Sequence, residues 1–412
     1  MQWKFFAFAL AFAAAGAAHG ATLKTLHNFC TQKDCADGSS PLGGVVQDGA
    51  GNLFGTTALG GAHNDGVVYE VERDGGFKVL HSFCKACGEG ANPSAGLILD
   101  VAGNLYGVTQ AGGPNNCGTA FKLSAADGTL MRLYAFCTRR DDGRAPAAAL
   151  AYWGKSAGLP YDGVSALYGT TSSGGAHGKG VAFKLHPRDG VWRHHTLYAF
   201  CATVECPDGA TPSGELSVEA SGALLGSTMW GGADGGGVIF RLEKTARHSL
   251  WTETVLYAFC QRLYCVDGQG PKGSLFVDPQ GTIFGSTLYA HGQTGALFRI
   301  DAGVETVLYT FCSSSGCADG DMPAGGLISD GAGRLFGTTT YGGAGLVPGQ
   351  GTVFRFDSQG LTTIYNFCSL SQCVDGRSPQ SPLLLGANGH LYGTTAEGGI
   401  NPVAGTAFEL TP

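Results

Sequence analysis

One short motif recurs along the whole sequence, and its spacing constrains the fold more than any other feature. The motif reads LFGTT in its first copy, and its glycine occurs at Gly55, Gly107, Gly169, Gly226, Gly285, Gly337 and Gly393, with gaps of 52, 62, 57, 59, 52 and 56 residues. Each repeat carries four short runs of β-branched and aromatic residues, bounded by Gly, Pro or Asp. Such a period, filled with strands, predicts an all-β propeller with one blade per repeat.

The order of the runs also predicts how the ring closes. The sequence begins with an aromatic run of the fourth position, residues 23–29, and ends with a run of the third position, residues 406–410. We therefore expect residues 21–412 to form seven four-stranded antiparallel blades, closed three-plus-one by the N-terminal strand. A ring of six or eight blades would not match the seven landmarks.

The N-terminal 20 residues are typical of a signal peptide, with a short basic start, an apolar run and small residues at Ala18–Gly20. The alternative is an uncleaved anchor. We predict a secreted or periplasmic protein, with no membrane insertion after signal removal, and a monomer. The net charge is −7 and no cluster of Lys or Arg occurs, which argues against nucleic acid and anionic membranes as partners.

The cysteines follow the repeat. Five pairs share the spacing FCxxxxC: Cys30 and Cys35, Cys201 and Cys206, Cys260 and Cys265, Cys312 and Cys317, Cys368 and Cys373. Cys84 and Cys87 form a shortened version, and we predict that the remaining two, Cys117 and Cys137, bridge one edge of a blade. Even numbers at repeated spacings in an exported chain indicate disulfides. A zinc site would need sets that converge in space, whereas these pairs lie on separate blades.

The pattern LYGTTxxGGxxxxGxVFxL with a following LYxF closely resembles the GloVer-type tandem repeat of exported bacterial proteins. The resemblance covers essentially all of the sequence after the signal. It implies a propeller fold and export. It implies no particular activity, because the family has no established general one.

An acidic residue follows each cysteine pair in the motif [DE]-G-x-x-P. The residues are Asp37, Glu89, Asp142, Asp208, Asp267, Asp319 and Asp375. One acid per blade on the same loop predicts a ring of carboxylates near the pore mouth, where crowding would raise their pKa values or recruit a cation such as calcium. The alternative is structural, because Asp-Gly before Pro is a turn signature and the carboxylate would accept backbone N–H groups locally. We expect no other cofactor and no other metal site.

Departures from the repeat are the places where function would show. Trp230, Tyr289 and Tyr341 hold the same loop position in three consecutive repeats, where the other copies carry no aromatic residue. Exposed aromatic rings beside acids suit sugar binding, so these three residues are candidates for ligand stacking. The alternative is that the rings cover the neighbouring blade.

Three functions are compatible with the sequence. The first is a binding or interaction module for an extracellular glycan or surface protein. The second is an enzyme, a lyase or hydrolase acting on extracellular polysaccharide, with acids of the loop ring as general acid and base. The regular copies and the lack of a singular catalytic cluster favour binding. A rigid spacer is a third possibility.

Overall fold

The computed structural model describes residues 21–245, 250–291 and 294–412. These residues form seven antiparallel sheets that are arranged as the blades of a ring. No helix among them is long and apolar enough to cross a membrane. The predicted signal peptide, residues 1–20, lies outside the described residues.

Blades 1 to 6 are meanders whose strands pair in chain order from the axis outward. Blade 1 contains β2 (Val46–Gln47), β3 (Leu53–Thr57), β4 (Val67–Val71) and β5 (Phe77–Ser82); blade 2 contains β6 (Ile98–Leu99), β7 (Leu105–Thr109), β8 (Thr119–Leu123) and β9 (Leu130–Ala135); blade 3 contains β10 (Ala151–Tyr152), β11 (Leu167–Thr171), β12 (Val181–Arg188) and β13 (Val191–Ala199).

Blades 4, 5 and 6 differ because their inner strand is present as two separate pieces. Blade 4 contains β14 (Ala210–Pro212), β15 (Ser217–Val218), β16 (Leu224–Trp230), β17 (Val238–Lys244) and β18 (Trp251–Ala258); blade 5 contains β19 (Gln269–Pro271), β20 (Phe276–Val277), β21 (Ile283–Ala290), β22 (Thr294–Asp301) and β23 (Val304–Thr310); blade 6 contains β24 (Asp321–Pro323), β25 (Ile328–Ser329), β26 (Leu335–Tyr341), β27 (Thr352–Asp357) and β28 (Gly360–Asn366).

The first strand belongs to the last blade. Blade 7 contains β29 (Leu384–Leu385), β30 (Leu391–Thr395), β31 (Thr406–Thr411) and, outermost, β1 (Thr22–Asn28). Strand β1 pairs antiparallel with β31, with Leu23 opposite Leu410. Short 3-10 helices occur at Lys33–Cys35, Lys155–Ala157, Leu263–Cys265, Ser315–Cys317 and Ser371–Cys373.

The landmark glycine of each repeat makes room for an aromatic ring. A Cβ atom added to Gly285 would lie 2.5 Å from Cζ of Phe298, which stands opposite it on the next strand. Phe298 in turn packs on Phe259 of blade 4, with ring centroids 4.9 Å apart. The same pairs recur between the other blades, so the glycine–phenylalanine pattern forms the core between neighbours.

Small residues also draw the inner segments of consecutive blades together. A Cβ atom on Gly43 would lie 2.5 Å from the carbonyl oxygen of Ala95 in blade 2, and one on Gly273 would lie 2.4 Å from the Gly326 nitrogen in blade 6. Ser274 and Gly326 form a parallel bridge. Because these contacts are made by backbone atoms, a larger side chain could not replace these glycines without separating the blades.

The loops sort onto two faces. The loops that carry the cysteine pairs contact the glycine-rich loops after the second strands, as in the 2.9 Å hydrogen bond from Gly61 N to Cys35 O. We call this side the upper face. The first turns of the blades, such as Asp48–Asn52, and the hairpins between the third and fourth strands lie on the lower face.

Candidate functional site

The three candidate stacking residues occupy equivalent places on consecutive blades. Trp230, Tyr289 and Tyr341 lie near the upper ends of β16, β21 and β26, opposite Ala210, Gln269 and Asp321 of the inner strands. Trp230 is 40% exposed and Tyr341 48% exposed, whereas Tyr289 is half-buried. The structure therefore brings all three to the rim of the upper face, within one half of the ring.

Local pairing explains why the aromatic residues are held there. The second strands of blades 4, 5 and 6 have 7, 8 and 7 residues, whereas that of blade 1 has 5. The added residues pair with the extra inner strands β14, β19 and β24. The ring of Tyr289 also lies over Gly270, where an added Cβ atom would sit 3.6 Å from its Cδ2 atom. The three aromatic residues therefore lie on regular sheet rather than on a free loop.

The acids of the repeated motif hold their own loops. Asp267 is fully buried, and its Oδ2 atom accepts a hydrogen bond from the Tyr257 hydroxyl at 2.9 Å and another from Gln261 N at 3.0 Å. Its Oδ1 atom accepts one from Arg262 N at 3.3 Å. These contacts fasten the disulfide loop to the outer strand of the preceding blade.

The same arrangement recurs in the other repeats. A tyrosine of the preceding outer strand, eight residues before Asp142 and ten residues before the other acids, donates to Asp142, Asp208, Asp319 and Asp375 at 2.6, 2.9, 2.8 and 2.7 Å. In the two remaining repeats histidine replaces tyrosine, with His27 Nε2 lying 3.3 Å from Asp37 and His81 Nε2 lying 3.1 Å from Glu89. Burial opposes ionisation of Asp319, but the hydrogen bonds from Tyr309, Ser313 and Ser314 outweigh it and lower the pKa of Asp319.

This placement differs from a carboxylate ring at the pore mouth. Each acid lies beside an outer strand, between two blades, because its partner is the Tyr or His of that strand. Among residues 21–245, 250–291 and 294–412, no group of three or more His, Cys, Asp or Glu side chains comes together in a way that could hold a metal ion. Calcium at these acids has no geometric support in the described part of the chain.

Three polar side chains that the sequence analysis missed lie next to these acids. His194, Glu253 and Glu305 occupy a position of the outer strand at which blades 1, 2 and 6 carry Phe77, Leu130 and Leu361. A polar residue in an otherwise apolar column was the signal available in the sequence. Burial lowers the pKa of His194 to about 4, and neither of its ring nitrogens has a hydrogen-bond partner among the described residues.

Glu253, on the outer strand of blade 4, lies within electrostatic reach of Asp208. Burial, reinforced by the negative charge of Asp208, raises the pKa of Glu253 to about 7. Glu253 Oε1 and Asp208 Oδ1 are both buried and have no hydrogen-bond partner among the described residues. Burial likewise raises the pKa of Glu305 to about 7, although Arg262 lies 3.0 Å from its carboxylate. A protonated Glu253 can therefore donate or hold a proton near neutral pH.

All fourteen cysteines are paired within the described residues. The disulfides join Cys30 to Cys35, Cys84 to Cys87, Cys117 to Cys137, Cys201 to Cys206, Cys260 to Cys265, Cys312 to Cys317 and Cys368 to Cys373. The predicted pairing is confirmed, including the bridge from Cys117 to Cys137. In the disulfides whose cysteines are five positions apart, both cysteines adopt left-handed backbone conformation, as at Cys312 and Cys317 with φ of 59° and 54°. The crosslink thus closes a tight loop beside each buried acid.

Solved structures that are similar to this chain share little sequence identity with it. They include a putative 6-phosphogluconolactonase from Bacteroides uniformis (16% identity, 83% of this chain and 88% of that chain, TM-score 0.49), a gluconolactonase from Xanthomonas campestris (15%, 77% and 85%, TM-score 0.43) and a putative gluconolactonase (14%, 77% and 89%, TM-score 0.42). At these values the likeness carries no argument about activity. A comparison with curated proteins gave no match.

A family model matches most of the chain. It is described as the Gloeobacter/Verrucomicrobia repeat, and it matches residues 15–161 and 151–345. The matched segments contain the repeats with the landmark glycines Gly55 to Gly337. The chain therefore belongs to the Gloeobacter/Verrucomicrobia repeat family.

Proposed function

We propose that this protein is an exported binding module that holds an extracellular glycan on its upper face. The observation that carries the proposal is the set of Trp230, Tyr289 and Tyr341 at equivalent strand ends of three consecutive blades. Aromatic rings with a polar edge bind ligands that are apolar on one face and hydroxylated at the rim, as sugar rings are. The seven disulfides are typical of an oxidising compartment, which supports export.

The neighbouring polar groups suit such a ligand. Gln269 and Asp321 stand directly opposite Tyr289 and Tyr341. Asp321 Oδ1 is buried without a hydrogen-bond partner among the described residues, and burial raises the pKa of this carboxyl group. The Asp321 residue as a whole is only partly buried, so its carboxyl group beside Tyr341 is placed to exchange a hydrogen bond with a sugar hydroxyl.

A glycan array with the mature, oxidised protein tests this function. Selective binding to one class of polysaccharide, lost in Trp230→Ala, would support it. Leu59→Ala is the matched control, because Leu59 holds the same position in blade 1 and is also 40% exposed. A blank array would remove the glycan proposal and direct the search to surface proteins as partners.

One observation favours a second candidate, the polysaccharide lyase or hydrolase. Glu253 is protonated near neutral pH and lies within electrostatic reach of a second carboxyl group, that of Asp208. Acid–base catalysis uses two such groups. Against it, Asp208 already binds Tyr198 and Ala202 N. Turnover of a polysaccharide panel that Glu253→Gln abolishes, and that the exposed Glu243→Gln on the same blade retains, would favour the enzyme.

A further inference from the structure

A large groove opens on the lower face, between blades 5 and 6. Its volume is ≈ 960 Å³, and the first turns of both blades and the β27–β28 hairpin border it. Phe276 and Phe284 of blade 5 and Phe356 and Leu361 of blade 6 form its walls. All four are only partly buried, although they pack against the core between these blades. The size and the apolar lining are those of a small-molecule site.

The length of one hairpin explains why this groove is open. In blade 3 the long β12–β13 hairpin carries Trp192, whose ring lies 6.4 Å from Tyr106 of blade 2. In blade 4 the long β17–β18 hairpin carries Trp251, which packs against the core shared with blade 3. The β27–β28 hairpin turns at once, with Asp357 opposite Gly360, and Gln359 holds the corresponding position. Within residues 21–245, 250–291 and 294–412, no tryptophan covers the gap between blades 5 and 6.

One cation in the groove is free to meet a ligand. Arg299 lies on β22 opposite Phe284 and is exposed, and its guanidinium has no hydrogen bond or ion pair within the described ranges. The carboxylates nearby are already engaged. Asp357 pairs with Arg355 at 3.0 Å, and Asp278 Oδ1 accepts hydrogen bonds from the backbone of its own turn.

The charge pattern selects the ligand. Arg241, which has the place of Arg299 in blade 4, is bound by Glu219 at 2.8 Å. In blade 5 the acid at the place of Glu219 is Asp278, whose Oδ1 atom accepts backbone hydrogen bonds and which forms no ion pair with Arg299 among the described residues. The guanidinium therefore keeps its donors for a bound anion. Its neighbours in the groove are aromatic rings, which favour a flat apolar body.

We propose that this groove binds a small organic anion with a planar aromatic body. Arg299 binds the carboxylate or sulfonate group, and the ring system lies between Phe284 and Phe356. The site is separate from the upper face, so the proposal does not depend on glycan binding.

Calorimetric titration with naphthalene-2-carboxylate and with its neutral analogue 2-naphthalenemethanol tests the site on the oxidised protein. We expect saturable 1:1 binding of the carboxylate and binding of the alcohol that is about tenfold weaker or more, because a charge-assisted hydrogen bond is lost. Arg299→Gln should remove this difference. Arg241→Gln, at the corresponding place in blade 4, should leave it unchanged.

Gln359→Trp supplies a second variant, because it places a tryptophan at the position that Trp192 and Trp251 hold elsewhere. Gln359 is exposed, so folding should tolerate the change. We expect it to weaken carboxylate binding about tenfold or more by filling the groove. Equal binding of the two probes, or carboxylate binding that survives both Arg299→Gln and Gln359→Trp, would overturn the proposal. So would probe-independent association of two copies through this face.

Discussion

The Tyr257 hydroxyl donates a hydrogen bond to Asp267 across the junction of two repeats, at 2.9 Å. The tyrosine ends the outer strand of blade 4, and the acid begins the loop that leads into blade 5. Because Asp267 also accepts two backbone N–H groups, the pair sets the direction in which the chain leaves one blade and enters the next. Every repeat carries such an acid because every junction between blades has to direct the chain in this way.

The first prediction concerns the stability of that junction. Asp267→Ala leaves the Tyr257 hydroxyl and two backbone N–H groups without an acceptor in a buried site, so we expect a loss of about 3 kcal/mol in the free energy of unfolding. Tyr257→Phe removes only one donor and should cost about 1 kcal/mol. Urea unfolding measures both. Unchanged stability in Asp267→Ala, together with lost ligand binding, would show that the acid is functional instead.

The second prediction concerns Glu253 and pH. Its pKa in the folded protein is raised from 4.5 to about 7, so between these values the folded state holds a proton that the unfolded state releases. Stability therefore falls as pH rises through this window and stays low above it. Because water screens a partly buried group, we expect the loss to be about 2 kcal/mol.

Glu253→Gln should remove the part of the pH dependence that Glu253 contributes and leave the part that comes from Glu305. The variant should match the natural protein below pH 4.5 and exceed it in stability by about 2 kcal/mol at pH 8. Glu243→Gln, an exposed change on the same blade, should leave the pH profile as it is. Parallel profiles for the natural protein and Glu253→Gln would contradict the assignment.

The third prediction ranks the disulfides. Cys117 and Cys137 are separated by 20 residues and Cys312 and Cys317 by 5. Because a crosslink restricts the unfolded chain more when it closes a longer loop, we expect the double serine variants to lose about 3 and about 2 kcal/mol. Chemical unfolding under oxidising conditions compares them. A larger loss from the shorter loop would contradict this ranking.

The fourth prediction separates close packing from backbone strain. Gly273→Ala introduces a Cβ atom 2.4 Å from the backbone of blade 6 at a φ of +85°. Gly281→Ala has a similar φ of +89° but nothing within 4 Å of the new atom. We expect a loss of about 1 kcal/mol for the second and about 3 kcal/mol for the first, measured by thermal unfolding. Equal losses would mean that the inner segments can separate without cost.

The sequence predicted the features that depend on residues within a single repeat. Seven landmark glycines predicted seven blades because each one faces a large ring, as Gly285 faces Phe298. The spacing of the cysteines predicted their partners because each short pair closes a loop within its own repeat. The sequence also predicted that Trp230, Tyr289 and Tyr341 are equivalent, because each stands two residues after the second Thr position of the repeat motif.

Relationships between repeats were not predictable in this way. Asp267 was expected near the pore, but its position depends on a tyrosine of the preceding repeat, ten residues away. Glu253 feels the charge of Asp208 because the outer strands of blades 3 and 4 pack on each other, and the sequence period does not show such packing. The lower groove is open because the β27–β28 hairpin of blade 6 is short. No sequence motif marks such a missing extension.

The measurement that tests the central claim most directly is the affinity of the array-selected polysaccharide for three proteins in parallel: the natural one, Trp230→Ala and Leu59→Ala. If the upper rim of blades 4 to 6 binds the glycan, Trp230→Ala should weaken binding about tenfold or more, as loss of a central aromatic contact does. Leu59→Ala, with the same exposure and the same place on blade 1, should bind like the natural protein. Equal affinities for all three, or a loss confined to Leu59→Ala, would contradict the account.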